Sequence, residues 1–190
     1  MTRILSLILL FALSSTALAE RYDIDTKGAH AFIQFRIQHL GYSWLYGRFN
    51  TFSGWFSYDE ANPDASQVEV TIDTASVDSN HAERDKHLRD GRFLHVDEYP
   101  QARFVSTAFK EHGDGTATLE GNFTFLGETR PMQIDIKHIG HGPDPWGGYR
   151  RGFEGTTRFK LADYGMAFNL GPNSQEVELT LSVEGIRAKP

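Results

Sequence analysis

An all-β domain is what this sequence predicts: one closed or nearly closed antiparallel barrel of about eight strands, with a single short helix on its rim. Three observations carry that expectation. Segment after segment alternates apolar and polar residues with period two, the pattern of strands that are wet on one face. Aromatic residues make up 13% of the chain while runs of Ile, Leu and Val are interrupted throughout, which suits pleated two-faced strands better than helices. No internal repeat or linker divides the chain, and a sheet of many such strands loses its exposed edges by closing on itself. A barrel is therefore favoured over a sandwich.

The first element, residues 1–19, reads as a cleavable secretory leader. Arg3 supplies a positive start, Ile4 to Leu13 an apolar stretch, and Ala17-Leu18-Ala19 a small-residue cleavage pattern before Glu20. The apolar stretch is too short to span a bilayer. The chain contains no cysteine, so neither a disulfide nor a thioether-linked lipid anchor can form and stability must come from packing. The expected product, Glu20 to Pro190, is a soluble single domain delivered outside the cytosol and long enough to bury a sizeable core. Loss of Arg3 with the leader takes the formal charge from -6 to -7, a balance that repels phosphate backbones and anionic lipid surfaces. Nucleic acid and stable membrane insertion are not expected.

The strands follow. Ala31, Ile33, Phe35, Ile37 and His39 share one face of a first strand, opposed by Gln34, Arg36 and Gln38. Leu45, Gly47 and Phe49 keep one phase, then Phe52, Gly54 and Phe56 take the other, as a bulge near Asn50 or Thr51 would produce. Val68, Val70 and Ile72 alternate with Glu69, Thr71 and Asp73 after the turn-forming Asn62-Pro63-Asp64. The pattern breaks over 79–99, where Asn80 is placed to cap a helix with Glu83 at its third position and Gly91 to end it; its thin apolar face suits a rim. Ala102 to Phe109 is ambiguous in phase. Ala117, Leu119, Gly121, Phe123 and Phe125 then alternate cleanly, and with Met132, Ile134 and Ile136 they predict a hairpin turning at Gly127-Glu128-Thr129 with Pro131 at the start of its second strand. Gly140 to Gly148 reads as a loop. Phe153, Gly155, Thr157, Phe159 and Leu161, and finally Val177, Leu179, Leu181 and Val183, complete the set. Barrels of this size either fill with side chains or hold one small ligand, and alternation does not separate the two.

Five segments carry a resemblance beyond periodicity: Arg21 to Phe49 (RYDIDTKGAHAFIQFRIQHLGYSWLYGRF), Glu83 to Ser106 (ERDKHLRDGRFLHVDEYPQARFVS), Leu119 to Met132 (LEGNFTFLGETRPM), Gly152 to Met166 (GFEGTTRFKLADYGM) and Glu176 to Gly185 (EVELTLSVEG). Together, in this order and after a leader, they resemble the YceI family of bacterial periplasmic proteins across essentially the whole mature chain. The resemblance implies a lipocalin-like antiparallel barrel whose apolar lumen binds a polyisoprenoid chain, as in a prenyl quinone or prenyl diphosphate. It also implies a periplasmic setting. Phe93-Leu94-His95-Val96-Asp97 departs from the family's Phe-Phe-Asp step, and the loop around Trp146 is idiosyncratic; both bear on head-group preference more than on chain binding.

The ligand-binding candidates are the apolar rows Ile33, Phe35, Ile37, Phe49, Val68, Val70, Ile72, Phe123, Phe125, Ile134, Ile136, Phe159, Leu179 and Leu181, whose alternative reading is a solid core. Head-group candidates are His39, at the end of its strand, and Arg84 and His87 on the rim helix, where Arg89 and Arg92 join a basic cluster suited to a diphosphate; a solvated helix face explains that cluster equally. His138, His141 and Asp144 have spacing compatible with a metal, but no second pair supports one, and neither a metal nor a required cofactor is expected. No nucleophile elbow, phosphate loop or forced acid pair points to catalysis. The expectation is a binding, transport or storage protein, not an enzyme. Its rivals are a cofactor-free isomerase or cyclase with a lumen base, and a filled barrel acting as an interaction module. A homodimer through the outer faces is compatible with either.

Overall fold

The computed structural model describes residues 19–166 and 171–189, so that all but Ala19 of the predicted leader lies outside the described residues. Its strands are β1 (Glu20–Ile24), β2 (Phe32–His39), β3 (Ser43–Phe49), β4 (Phe52–Tyr58), β5 (Val68–Asp73), β6 (Val77–Asp78), β7 (Gln101–Glu111), β8 (Thr116–Phe125), β9 (Glu128–Pro143), β10 (Tyr149–Lys160) and β11 (Glu176–Arg187), with α1 (Ala82–Arg89) between β6 and β7. Several of these segments are halves of one broken strand. Both β1 and β2 lie against β11, through Tyr22↔Arg187 and Ile33↔Leu181, while β4 lies against β1 and β3 against β2. In the same way β5 continues into β6, pairing with β4 and then β3. Merging the halves leaves eight staves, all antiparallel, and the β1–β11 pairing closes the ring. The protein is an eight-stranded antiparallel barrel with one helix at its rim, as its periodicity predicts.

The departures are local and each has a cause. At Asn50 and Thr51 the strand does not bulge but stops: their amides turn to Ser76, donating to its carbonyl at 3.1 Å and its Oγ at 3.0 Å, because the facing strand is interrupted by the 3₁₀ turn Thr74–Ser76. The phase ambiguity after Pro100 is a true bulge between Ser106 and Ala108, which lets Ala102, Phe104 and Phe109 all point inward. The β8–β9 turn is Leu126–Gly127, with φ of 50° and 78°, not Gly127-Glu128-Thr129; a two-residue hairpin needs positive φ at both centres, so Phe125 pairs directly with Glu128. Pro131 consequently sits inside β9, opposite Asn122. Half of the loop expected at Gly140 to Gly148 is strand, since Gly140 pairs with Gly152 and Gly142 with Arg150; only 144–148 turns, held by Asp144 accepting from the amides of Trp146 and Gly148 at 2.9 and 2.7 Å.

The helix cap moves by one residue. Asn80 takes a left-handed conformation (φ 62°), and His81 Nδ1 instead accepts from the amide of Arg84 at 3.2 Å; Asp90, not Gly91, ends the helix. The side chain that α1 buries is polar: Asp85 accepts from the amide of Ser79 at 2.8 Å and from its hydroxyl. At the same end the β9–β10 ladder stops at Asp135↔Thr156. Beyond it Thr157 Oγ1 donates to Gln133 O at 2.6 Å, and the 3₁₀ turn Leu161–Tyr164 seats Tyr164 against Phe123, Phe125 and Phe159 at centroid distances of 5.5, 5.8 and 5.2 Å. Outside this splay lies a polar depression open to solvent, edged by Arg130, Asp135 and Arg158.

Candidate functional site

Period two aims alternate residues of every stave at the barrel axis, and these do not fill it. Two connected hollows remain. The larger, of about 490 Å³, occupies the helix end and is lined by Ile33, Phe35, Ile37, Phe49, Ile72, Phe123, Phe125, Phe159 and Leu179 among others. The smaller, of about 110 Å³, continues toward the opposite end between Val68, Val70, Ile134, Ile136 and Leu181. Ile33, Ile72, Phe123 and Leu179 border both and form the waist between them. Every residue of the predicted apolar rows thus faces one chamber or the other. The larger volume falls within the roughly 300–1,000 Å³ of small-molecule sites. A wall this apolar offers water few hydrogen-bond partners and suits a hydrocarbon.

Glycines shape the wall. A Cβ at Gly47 would lie 2.3 Å from the Phe35 ring, and one at Gly121 2.3 Å from that of Phe104, so each ring lies across bare backbone of the next stave. This packing tucks the rings against the wall and keeps the axis open. Period-two reading overlooks part of the lining. Phe104 and Phe109 are hidden by the bulge, and Leu94 and Met166 come from the rim segments, where no strand pattern exists.

Polar groups gather at the mouth of the larger chamber. His39, Arg84, His87 and Arg92 border it together with Leu40 and Ser174. The predicted arginine cluster is divided, however. Arg84 donates to the hydroxyl of Ser79 at 2.7 Å and to its carbonyl; Arg89 is turned to the carbonyls of Ala75 and Val77 at 2.7 and 2.9 Å, away from the chamber; Arg92 pairs with Asp90 at 2.8 Å. Arg89 thereby braces the rim helix against the β5–β6 strand. The imidazoles of His39 and His87 make no side-chain hydrogen bond to another described residue, which leaves them able to meet a ligand. In the smaller chamber the buried Oγ of Ser66 has no hydrogen-bond partner among the described residues.

Ionisable groups buried elsewhere stay out of the lumen. Arg151, only 3% exposed, lies beneath Tyr58, 4.2 Å from the ring, and pairs with Glu60. Asp25 is held by His30 at 2.9 Å and Arg150 at 2.7 Å, and these contacts lower its pKa to about 2. Asp25, His30 and Glu184 are close enough to share a cation, but the Arg150 guanidinium already bonds both carboxylates. His138 and His141 lie tilted with ring centroids 5.3 Å apart, yet Asp144 turns to Arg150 at 2.9 Å and His141 to the Tyr149 hydroxyl at 2.6 Å, so the three do not converge. Burial, with Arg151 next in weight, pushes the His138 pKa down.

Comparison with known proteins places this architecture. The profile of the YceI-like domain matches residues 22–185. A UPF0312 protein of Pseudomonas aeruginosa is 62% identical over 171 residues, 90% of this chain and 89% of the relative; one from Serratia proteamaculans is 58% identical over 176 residues, 93% and 91% respectively. Among solved structures, Burkholderia cenocepacia BcnA superposes with a TM-score of 0.76 at 19% identity, covering 85% of this chain and 99% of that one. A polyisoprenoid binding domain from Saccharophagus degradans gives 0.64 at 15% identity over 90% of this chain and 100% of its own. With the profile spanning residues 22–185, a relative 62% identical over 90% of this chain and the same barrel in distant structures, the chain belongs to the YceI family.

Proposed function

We propose that this protein binds the hydrocarbon chain of a polyisoprenoid amphiphile inside its barrel, leaves the head group at the helix-end mouth, and serves in the periplasm as a carrier or store. The observation that carries the reading is the 490 Å³ apolar chamber, polar only at its mouth. A prenyl chain needs nothing else from a wall, since burying each methylene contributes about 0.8 kcal/mol and a five-carbon unit about 4 as an upper bound. Ordering the chain offsets much of that gain, so affinity rises with chain length and then levels off. The Saccharophagus domain of the same fold, named for polyisoprenoid binding, supports the assignment. The leader pattern supports the periplasmic setting.

Carriage is favoured over catalysis because, among the described residues, the smaller chamber has Tyr58 as its one ionisable neighbour and the larger has its ionisable groups at the rim. Burial raises the Tyr58 pKa, which keeps the phenol protonated and leaves no phenolate to act as a base. A neutral head group such as a quinone fits the mouth better than a diphosphate, since the rim arginines are bonded to protein while His39 and His87 can donate to a carbonyl. The test is titration of the purified protein with a prenyl quinone in detergent, alongside Ile37→Trp, which fills the larger chamber without adding charge. Saturable binding that the Trp side chain abolishes supports the proposal. Undiminished binding in a folded Ile37→Trp protein excludes the lumen as the site.

A further inference from the structure

The mouth of the larger chamber is flanked by apolar surface that internal packing does not use. Of the seven large hydrophobic side chains exposed among the described residues, four cluster at the turn end of the β2–β3 hairpin: Leu40, Tyr42, Trp44 and Tyr46. Trp44 and Tyr46 share the outer face of β3 by period two, Tyr42 precedes them at the turn with 87% of its surface exposed, and Leu40, 55% exposed, also borders the chamber. Leu40 holds φ at 54°, ahead of Gly41 at 81°. Asn would accept that backbone readily, whereas a leucine there is strained. The hairpin therefore keeps an exposed leucine at a position where local stability favours a polar residue, and strain of this kind collects at functional positions.

Three arginines beside the patch are paired with carboxylates, while Arg84 at the mouth is bonded to Ser79. Arg36 lies over the Trp44 ring at 4.2 Å and pairs with Glu178 at 2.6 Å, Arg48 pairs with Asp78 at 3.3 Å, and Arg92 with Asp90. The whole chain is acidic, with a formal charge of -6. Such a surface is not drawn to anionic lipid by its field; what it offers is leucine, tyrosine and tryptophan, the residues that seat at the headgroup boundary of a bilayer. A second copy of the chain is the other candidate, but the four side chains present on the order of 500 Å², short of the roughly 800 Å² per partner of a stable interface. Position decides further. A prenyl chain leaving a bilayer for the lumen exposes its methylenes to water unless the mouth meets the membrane, and the patch adjoins that mouth.

We infer that the β2–β3 hairpin seats the barrel mouth on a zwitterionic lipid bilayer, so that the chain passes between membrane and lumen without crossing water. The transfer clause rests on the lumen reading proposed above; the docking face does not. The experiment is co-sedimentation of the purified protein with phosphatidylcholine vesicles at low and high salt, with Tyr42→Ser/Tyr46→Ser and Leu40→Asn beside it. Docking is expected to be insensitive to salt. The double substitution, outside the chamber, should weaken it about tenfold or more while leaving quinone uptake from detergent and thermal stability unchanged. Leu40→Asn should weaken docking and raise the melting temperature. Absence of vesicle binding by the unaltered protein, binding only to anionic vesicles and lost in salt, or variants that dock as well as the original would overturn the inference. So would a dimer that these substitutions split, which would assign the patch to a second copy. Vesicle docking without quinone uptake from detergent would leave the docking face standing and remove the lumen reading with its transfer clause.

Discussion

Phe104 lies across Gly121 because nothing larger than hydrogen fits there: a methyl group would meet the ring at 2.3 Å and the Val105 carbonyl at 2.6 Å. Gly121→Ala is therefore expected to destabilise the barrel by about 1–3 kcal/mol through overpacking, seen as a lower midpoint in urea. At the chamber wall, Phe35→Asp puts a charge on apolar lining, and loss of quinone binding with the fold retained is the expected result in a titration checked by far-UV circular dichroism. His39 tests the mouth. Replacement by Ala should change the preference between quinone and a simple prenyl alcohol while the chain still binds; an identical ligand profile would remove His39 from head-group contact.

Among the elements, the seam joining the start of β2, the end of β11 and the start of β10 depends on one carboxylate. Asp25 accepts from His30, Arg150 and the amide of Gly28, and its pKa falls from 3.8 to about 2, with the His30 contact the largest cause. A group lowered on folding contributes stability that is complete above its unfolded value and is lost as pH falls through the folded one. Urea midpoints should accordingly drop between about pH 4 and pH 2, and Asp25→Asn should flatten that slope while lowering stability at neutral pH. The same scale shows what sequence reveals. Apolar rows such as Ile33-Phe35-Ile37 and Leu119-Phe123-Phe125 are legible because each inward side chain follows from period two alone. The Leu126–Gly127 turn and the strand-forming Gly140 and Gly142 are not, because there pairing across the sheet overrides local preference. Nor could the arginines of α1 be sorted in advance, since whether a guanidinium reaches Ser79, Val77 or a ligand depends on how the helix lies on the rim.

At the scale of the molecule, the barrel solves a problem that neither composition nor charge poses directly. It holds an apolar hollow without a disulfide, with rings laid over glycines on neighbouring staves and a helix fixed by buried polar contacts at its open end. The waist of Ile33, Ile72, Phe123 and Leu179 divides that hollow, so a long chain is expected to occupy the larger chamber first and enter the smaller one only by parting these side chains. Affinity measured along a series of prenyl quinones should then rise, pause and rise again, whereas a single smooth plateau would mean that the smaller chamber takes no part. The central claim is that the lumen carries a polyisoprenoid. Its most direct test is solvent extraction and mass spectrometry of the protein purified natively, with a denatured and refolded sample as control. A prenyl lipid in stoichiometric amount, absent from the control, is the result the account predicts. An empty extract from a protein that also fails to take up added prenyl quinone would contradict it.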